Sequence, residues 1–235
     1  MKSNMLTKFV LMLIALMFSL QSNLFLHAKE EEKAVITGNN MEFRHKGMLT
    51  IYKDGVLMKK GKSWLKASEA IYNEETEEII IEGNIRIFFV QEEGDVIEAF
   101  GSSARYDRSS QQGTLYGFPK AIIRGSGEDA DALFLYADEI KFYEKKGYVK
   151  ALGNVYLANS NMDIWSDRAE YDQKKEVVVM TGDKPLIVMI DDSGVNYFNS
   201  DKITILLNTE TLLLDRSVEG IVWGGKKSAS SGKIK

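Results

Sequence analysis

The sequence predicts an all-β protein, on three observations. Hydrophobic residues recur with a period of two, turn-forming clusters fall between the β-rich runs, and one strand-turn-strand pattern repeats along the chain. The repeat is an aromatic, a polar turn, a β-branched run and, eleven residues after the aromatic, a glycine. Its copies are Tyr72 to Gly83-Asn84, Tyr106 to Gly117, Phe142 to Gly153-Asn154 and Tyr171 to Gly182-Asp183. A fifth, degenerate copy runs from Ile205 to Arg216. Successive copies start 34, 36, 29 and 34 residues apart, an irregularity that favours hairpins with variable loops over a rigid solenoid.

In chain order, Lys2 and Lys8 precede an apolar run from Phe9 to Leu20, then Gln21-Ser22-Asn23 and Leu24 to Ala28. Basic, apolar and small-residue regions in that order read as a secretory signal over 1–28, with cleavage after Ala28. An uncleaved anchor over Phe9 to Leu26 is the alternative, although spanning a bilayer takes roughly 20 predominantly apolar residues. Loss of 1–28 removes two lysines and no acid from the 30 basic and 34 acidic residues, for a net charge of −6. An acidic chain is a poor partner for nucleic acid. With no cysteine there is no disulfide, thiol nucleophile or thiolate metal site, so stability must come from burial and sheet pairing.

Residues 29–223 form the expected β domain. In the first full copy Ile79, Ile81, Ile85, Ile87 and Phe89 alternate with Glu78, Glu82, Asn84 and Arg86, giving one dry and one wet face. Leu115 occupies the equivalent run of the second copy. Val149, Ala151, Val155 and Leu157 continue the pattern, followed by Val178 and Leu186. The turns are Asn73-Glu74-Glu75, Asp107-Arg108-Ser109, Lys145-Lys146-Gly147 and Asp172-Gln173-Lys174. A glycine inside a strand costs about 0.5 to 1 kcal/mol relative to alanine, so its recurrence implies a bulge or bend at one place in each hairpin. Bends so placed would let a meander curl over its apolar face as a jelly-roll-like or half-pipe sheet. The tail 224–235 is Gly, Ser and Lys without periodicity and is expected to be disordered.

The pattern resembles the OstA-like lipopolysaccharide-transport family of LptA/OstA type. The residues that carry the resemblance are Ser166-Asp167-Arg168-Ala169-Glu170-Tyr171-Asp172, Val177 to Asp183 and Ser200-Asp201-Lys202-Ile203-Thr204-Ile205, and it extends over roughly residues 35 to 222. It implies a twisted antiparallel β-jelly roll built of repeated hairpins in the periplasm, whose apolar interior carries lipopolysaccharide acyl chains between the membranes. It also implies head-to-tail homo-oligomers and docking to an LptC-like inner-membrane protein and an LptD-like outer-membrane protein. The lipid-groove candidates are Ile79, Ile81, Ile85, Ile87, Leu115, Val149, Val155, Leu157, Val178 and Leu186. Lys184-Pro185 after Gly182-Asp183 and Arg216 in place of glycine depart from the repeat. An LptC-like anchored component is the alternative if the N-terminal segment is retained.

Taken alone, an apolar strand face is a packed core; the resemblance is what favours a lipid groove. The aromatics Tyr72, Tyr106, Phe142 and Tyr171 are expected to stack across strands. No enzyme is expected, and no cofactor. His27 falls in the signal and His45 stands alone, leaving no material for Ser-His-Asp chemistry or a histidine metal site. Acidic clusters at Glu30 to Glu32, Glu74 to Glu78, Glu92 to Asp95 and Asp191-Asp192 fall in turns and termini and read as solvated. Gly127-Glu128-Asp129-Ala130-Asp131 lacks the spacing of a calcium loop. The rival readings are a structural envelope β-repeat with a self-filled core and, third, a polysaccharide-active enzyme, which would need paired acids on rigid strands.

Overall fold

The computed structural model describes residues 35–90, 96–124, 132–172, 174–191, 194–206, 209 and 211–222. The expected signal over 1–28 and the expected disordered tail 224–235 lie outside them, as does the acidic stretch Gly127 to Asp131. All pairing among the described strands is antiparallel, and twenty strands form one continuous sheet.

Strand β1 (Val35–Thr37) is followed by a hairpin of β2 (Asn40–Arg44) and β3 (Leu49–Lys53), closed by a 3₁₀ turn at His45–Gly47. A second hairpin, β4 (Val56–Lys60) and β5 (Ser63–Ala67), leads into β6 (Glu69–Asn73) and the long β7 (Glu78–Val90). The long β8 (Val96–Asp107) returns along β7 and turns into β9 (Gln112–Tyr116). Next come β10 (Lys120–Arg124), β11 (Leu133–Tyr136) and β12 (Glu139–Tyr143), then two more long strands, β13 (Tyr148–Asn159) and β14 (Met162–Asp172). The chain finishes through β15 (Val177–Thr181), β16 (Leu186–Asp191), β17 (Gly194–Asn199), β18 (Lys202–Leu206), β19 (Thr211–Asp215) and β20 (Glu219–Val222). The expected hairpins are β6-β7, β8-β9, β12-β13, β14-β15 and β18-β19, and each is paired as the repeat requires.

The sheet folds into two layers because the long strands pair differently along their length. The first half of β7 pairs with β6 and its second half with β5, while β13 switches likewise from β12 to β11. One layer therefore runs β1-β4-β5-β7-β8-β10-β11-β13-β14-β16-β17-β20. The other runs β2-β3-β6-β7-β8-β9-β12-β13-β14-β15-β18-β19. The four long strands belong to both and bend at a common crease.

The recurring glycines build that crease. The register of β7 against β8 shifts between Glu82 and Ile85, and that of β13 against β14 between Leu152 and Val155. Gly83, Gly117 and Gly153 have φ of 78°, 81° and 71°, in the left-handed region where side chains are strained. Corner residues of the neighbouring strands lock onto these bends. The Ser68 amide donates to the carbonyl oxygens of Glu82 and Gly83, and the Asp138 amide donates to those of Leu152 and Gly153. In the degenerate fifth copy Arg216 and Ser217 take φ of 61° and 36°, so the bend survives without glycine.

Candidate lipid-binding interior

Each layer turns one row of side chains inward, and the register carries that row unbroken across the molecule. In the first layer it passes Ile36, Met58, Leu65, Ile87, Ala99, Ala121, Leu135, Leu157, Ile164, Ile187 and Phe198, each opposite the next. In the second it passes Thr50, Tyr72, Ile79, Tyr106, Gly113, Phe142, Val149, Tyr171, Val178, Ile205 and Leu212. Apart from Thr50 and Gly113, the two rows pack into one hydrophobic cluster. Full burial of an isoleucine or leucine contributes about 1.5 to 3 kcal/mol, so the row is also the main source of stability.

Nine of the ten groove candidates lie in this interior. Ile79, Ile81, Leu115, Val149 and Val178 belong to the second layer, Ile87 and Leu157 to the first, and Ile85 and Val155 sit just past the crease; all are buried. Leu186 does not join them. It is half-buried opposite Trp165 on the outer face, and its neighbour Ile187 is fully buried against Ile164. The segment Gly182 to Pro185 carries the chain across the crease and moves the inward positions from the even-numbered Met180 to the odd-numbered Ile187. The same change of parity occurs within β8, from Ile97 and Ala99 to Ala104 and Tyr106, and within β14, from Ile164 to Ala169 and Tyr171. A parity shift reverses which side chains face inward, and a period-two reading cannot detect it without the bend.

The interior is not uniformly filled. At the amino-terminal end a cavity of about 260 Å³ lies between β1 and β4 of one layer and β3, β6 and β7 of the other, lined by Ile36, Tyr52, Met58, Ala70, Tyr72, Ile79 and Arg108 among others. Farther along, a void of only about 40 Å³ remains beside Leu135, Val149, Leu157 and Tyr171. Between them lies a waist. Tyr106 and Phe142 stack with ring centroids 6.1 Å apart and are fully buried. Gly113 separates them in the sheet, and a Cβ there would fall inside the Phe142 ring. The expectation that the repeat aromatics stack is thus met for this pair, whereas Tyr72 lines the open cavity.

Among the described residues charge is kept outside, with one exception. Glu98 on the first layer pairs with Arg86 at 3.0 Å and Arg124 at 2.7 Å. The hydrogen bond from Arg124 holds its carboxyl below the usual range, against partial burial, and Arg86 adds to the effect. On the second layer burial pushes the Glu170 carboxyl up, but hydrogen bonds from Tyr148, Arg168 and Lys150 outweigh it and the net shift is downward. The exception is Arg108, the one charged residue among those lining the amino-terminal cavity, where the guanidinium lies over the Tyr72 ring at 5.2 Å and donates to its hydroxyl. Read as a turn residue in the sequence, it carried no signal of this position, because its contact with Tyr72 spans 36 residues.

This two-layer roll meets the family model for the LptA and LptD N-terminal domain LPS transport proteins, which matches residues 35–211. The chain belongs to that family. Membership places it in lipopolysaccharide transport, among transport proteins. Among curated proteins no match is found. A similar solved structure is LptH from Pseudomonas aeruginosa, described as the LptA-homologous periplasmic component of the conserved lipopolysaccharide transport device. The two are 12% identical with a TM-score of 0.31, covering 65% of this chain and 84% of that one.

Proposed function

We propose that the protein is a periplasmic carrier that shelters lipopolysaccharide acyl chains between its two layers and passes them from the inner toward the outer membrane. The observation that carries this reading is the largely apolar inward row of each layer, with an unfilled cavity at the amino-terminal end. Each methylene taken out of water is worth about 0.8 kcal/mol, so a chain of about 12 carbons costs on the order of 10 kcal/mol to expose. Aliphatic walls supply that shelter without directional contacts and so permit sliding. Movement past the waist requires the Tyr106 and Phe142 rings to swing aside as the layers part.

The ends of the roll support assembly. Among the described residues β1 and β2 each have one strand neighbour, and so do β19 and β20. Free strand edges are templates for another strand. End-to-end pairing of copies, and of the terminal copies with LptC-like and LptD-like partners, would build a heterologous chain across the periplasm.

The test is in-cell crosslinking from a photoreactive residue at Ile79 or Val155, with the outward-facing Lys141 as control. Lipopolysaccharide adducts at the inward positions and none at the control are expected. Absence of adducts at both inward positions would leave a self-filled structural repeat as the better description.

A further inference from the structure

We propose that the amino-terminal cavity is a site for one acyl chain bearing an acidic group, with Arg108 as the residue that fixes the acid. The inference rests on the interior accepting acyl chains, but not on lipopolysaccharide being the source. An apolar cavity of about 150 Å³ already holds a benzene ring, so about 260 Å³ accepts a segment of a single alkyl chain. Tyr106 and Phe142, stacked and fully buried, bound the space on the β8 side.

Arg108 lines the cavity from the β8-β9 turn, two residues past Tyr106, with capacity to spare. A guanidinium has five N–H donors, and Tyr72 accepts one bond. Other basic side chains near this end have carboxylate partners: Arg105 pairs with Glu78, and Arg44 and Lys53 share Glu42. None of the ion pairs among the described residues involves Arg108. The neighbouring Asp107 carboxylate is turned into its own loop, where it accepts from the Ser109 hydroxyl at 2.6 Å and the Ser110 amide at 3.0 Å. The loop itself is pinned, because the Arg108 amide donates to the Glu77 carbonyl oxygen at 3.0 Å. A half-buried guanidinium, oriented by an aromatic ring and adjoining an apolar cavity, complements a phosphate or carboxylate attached to an alkyl tail.

Calorimetric titration of the full-length chain with monomeric decyl phosphate, decanoate and the neutral decyl glucoside tests this. One acidic ligand per chain is expected, bound at least roughly tenfold more tightly than the glucoside, as a charge-assisted hydrogen bond predicts. Arg108→Gln should remove that advantage and leave glucoside binding unchanged, Arg108→Lys should restore part of it, and Ala70→Leu should weaken all three ligands by filling the cavity. Preference for decyl phosphate names a phosphorylated lipid as the source; preference for decanoate names a free fatty acid. Equal binding of all three ligands, an equal loss for all three in Arg108→Gln, or no effect of Ala70→Leu overturns the proposal. Acidic binding in vitro without lipopolysaccharide adducts in cells would uphold this site while removing the transport reading, and the converse result would do the reverse.

Discussion

Single residues set the limits of the lumen. Gly113 is required because the Phe142 ring occupies the space of its missing side chain. Gly113→Ala should therefore destabilise the protein by about 1 to 3 kcal/mol through overpacking, measurable as a lower urea midpoint at unchanged slope. Arg108 matters for the opposite reason, as a charge beside space that nothing fills. The ionisable groups that stabilise the fold are on the outer faces, where Glu98 and Glu170 hold protons less tightly than ordinary carboxyls. A carboxyl lowered in this way stabilises the folded state above its unfolded pKa, and the contribution is lost as pH falls through the folded value. Melting temperatures should thus decline as pH drops below about 4.5, near the unfolded glutamate pKa. Glu98→Gln should lower the melting temperature at pH 7 and flatten the decline; an unchanged slope would separate Glu98 from acid sensitivity.

At the scale of elements, the crease decides the architecture. Strands β7, β8, β13 and β14 are each a single β run, yet each serves two layers because the chain bends at a positive-φ glycine or at the corner facing it. In Gly153→Ala the new methyl would meet the Asp138 carboxylate while the backbone keeps φ of 71°, so a loss of about 1 to 3 kcal/mol is expected. Asp138→Ala in the same background should recover the steric part and leave the backbone strain, giving a measurable coupling in a double-mutant cycle. Much of this level was legible in the sequence. Period-two alternation identified the hairpins, and the recurring glycine identified the bends, since a residue that weakens a strand persists where geometry demands it. Leu186 was not legible. The side it faces depends on how many residues the chain spends crossing the crease, and Gly182 to Pro185 spends enough to reverse it.

For the whole molecule, the open ends govern association. Exposed Ile221 and Val222 on β20 and Leu213 on β19 leave an apolar edge that charge would block. Sedimentation of the full chain should show oligomers that grow with concentration, and Ile221→Lys with Val222→Lys should shift the distribution to monomer. A monomer at every concentration in the unmodified protein would remove end-to-end assembly. By itself the sequence determined that the protein is built of β-hairpins with one dry face and where each hairpin bends, because strand periodicity and turn chemistry are local properties of the chain. Only the tertiary structure decided that two layers close on each other, that Tyr106 and Phe142 fill the waist, and that Arg108 borders the cavity left at one end. Those outcomes depend on register between strands distant in sequence and on the volumes of side chains that meet across the layers, and neither is written in any single segment.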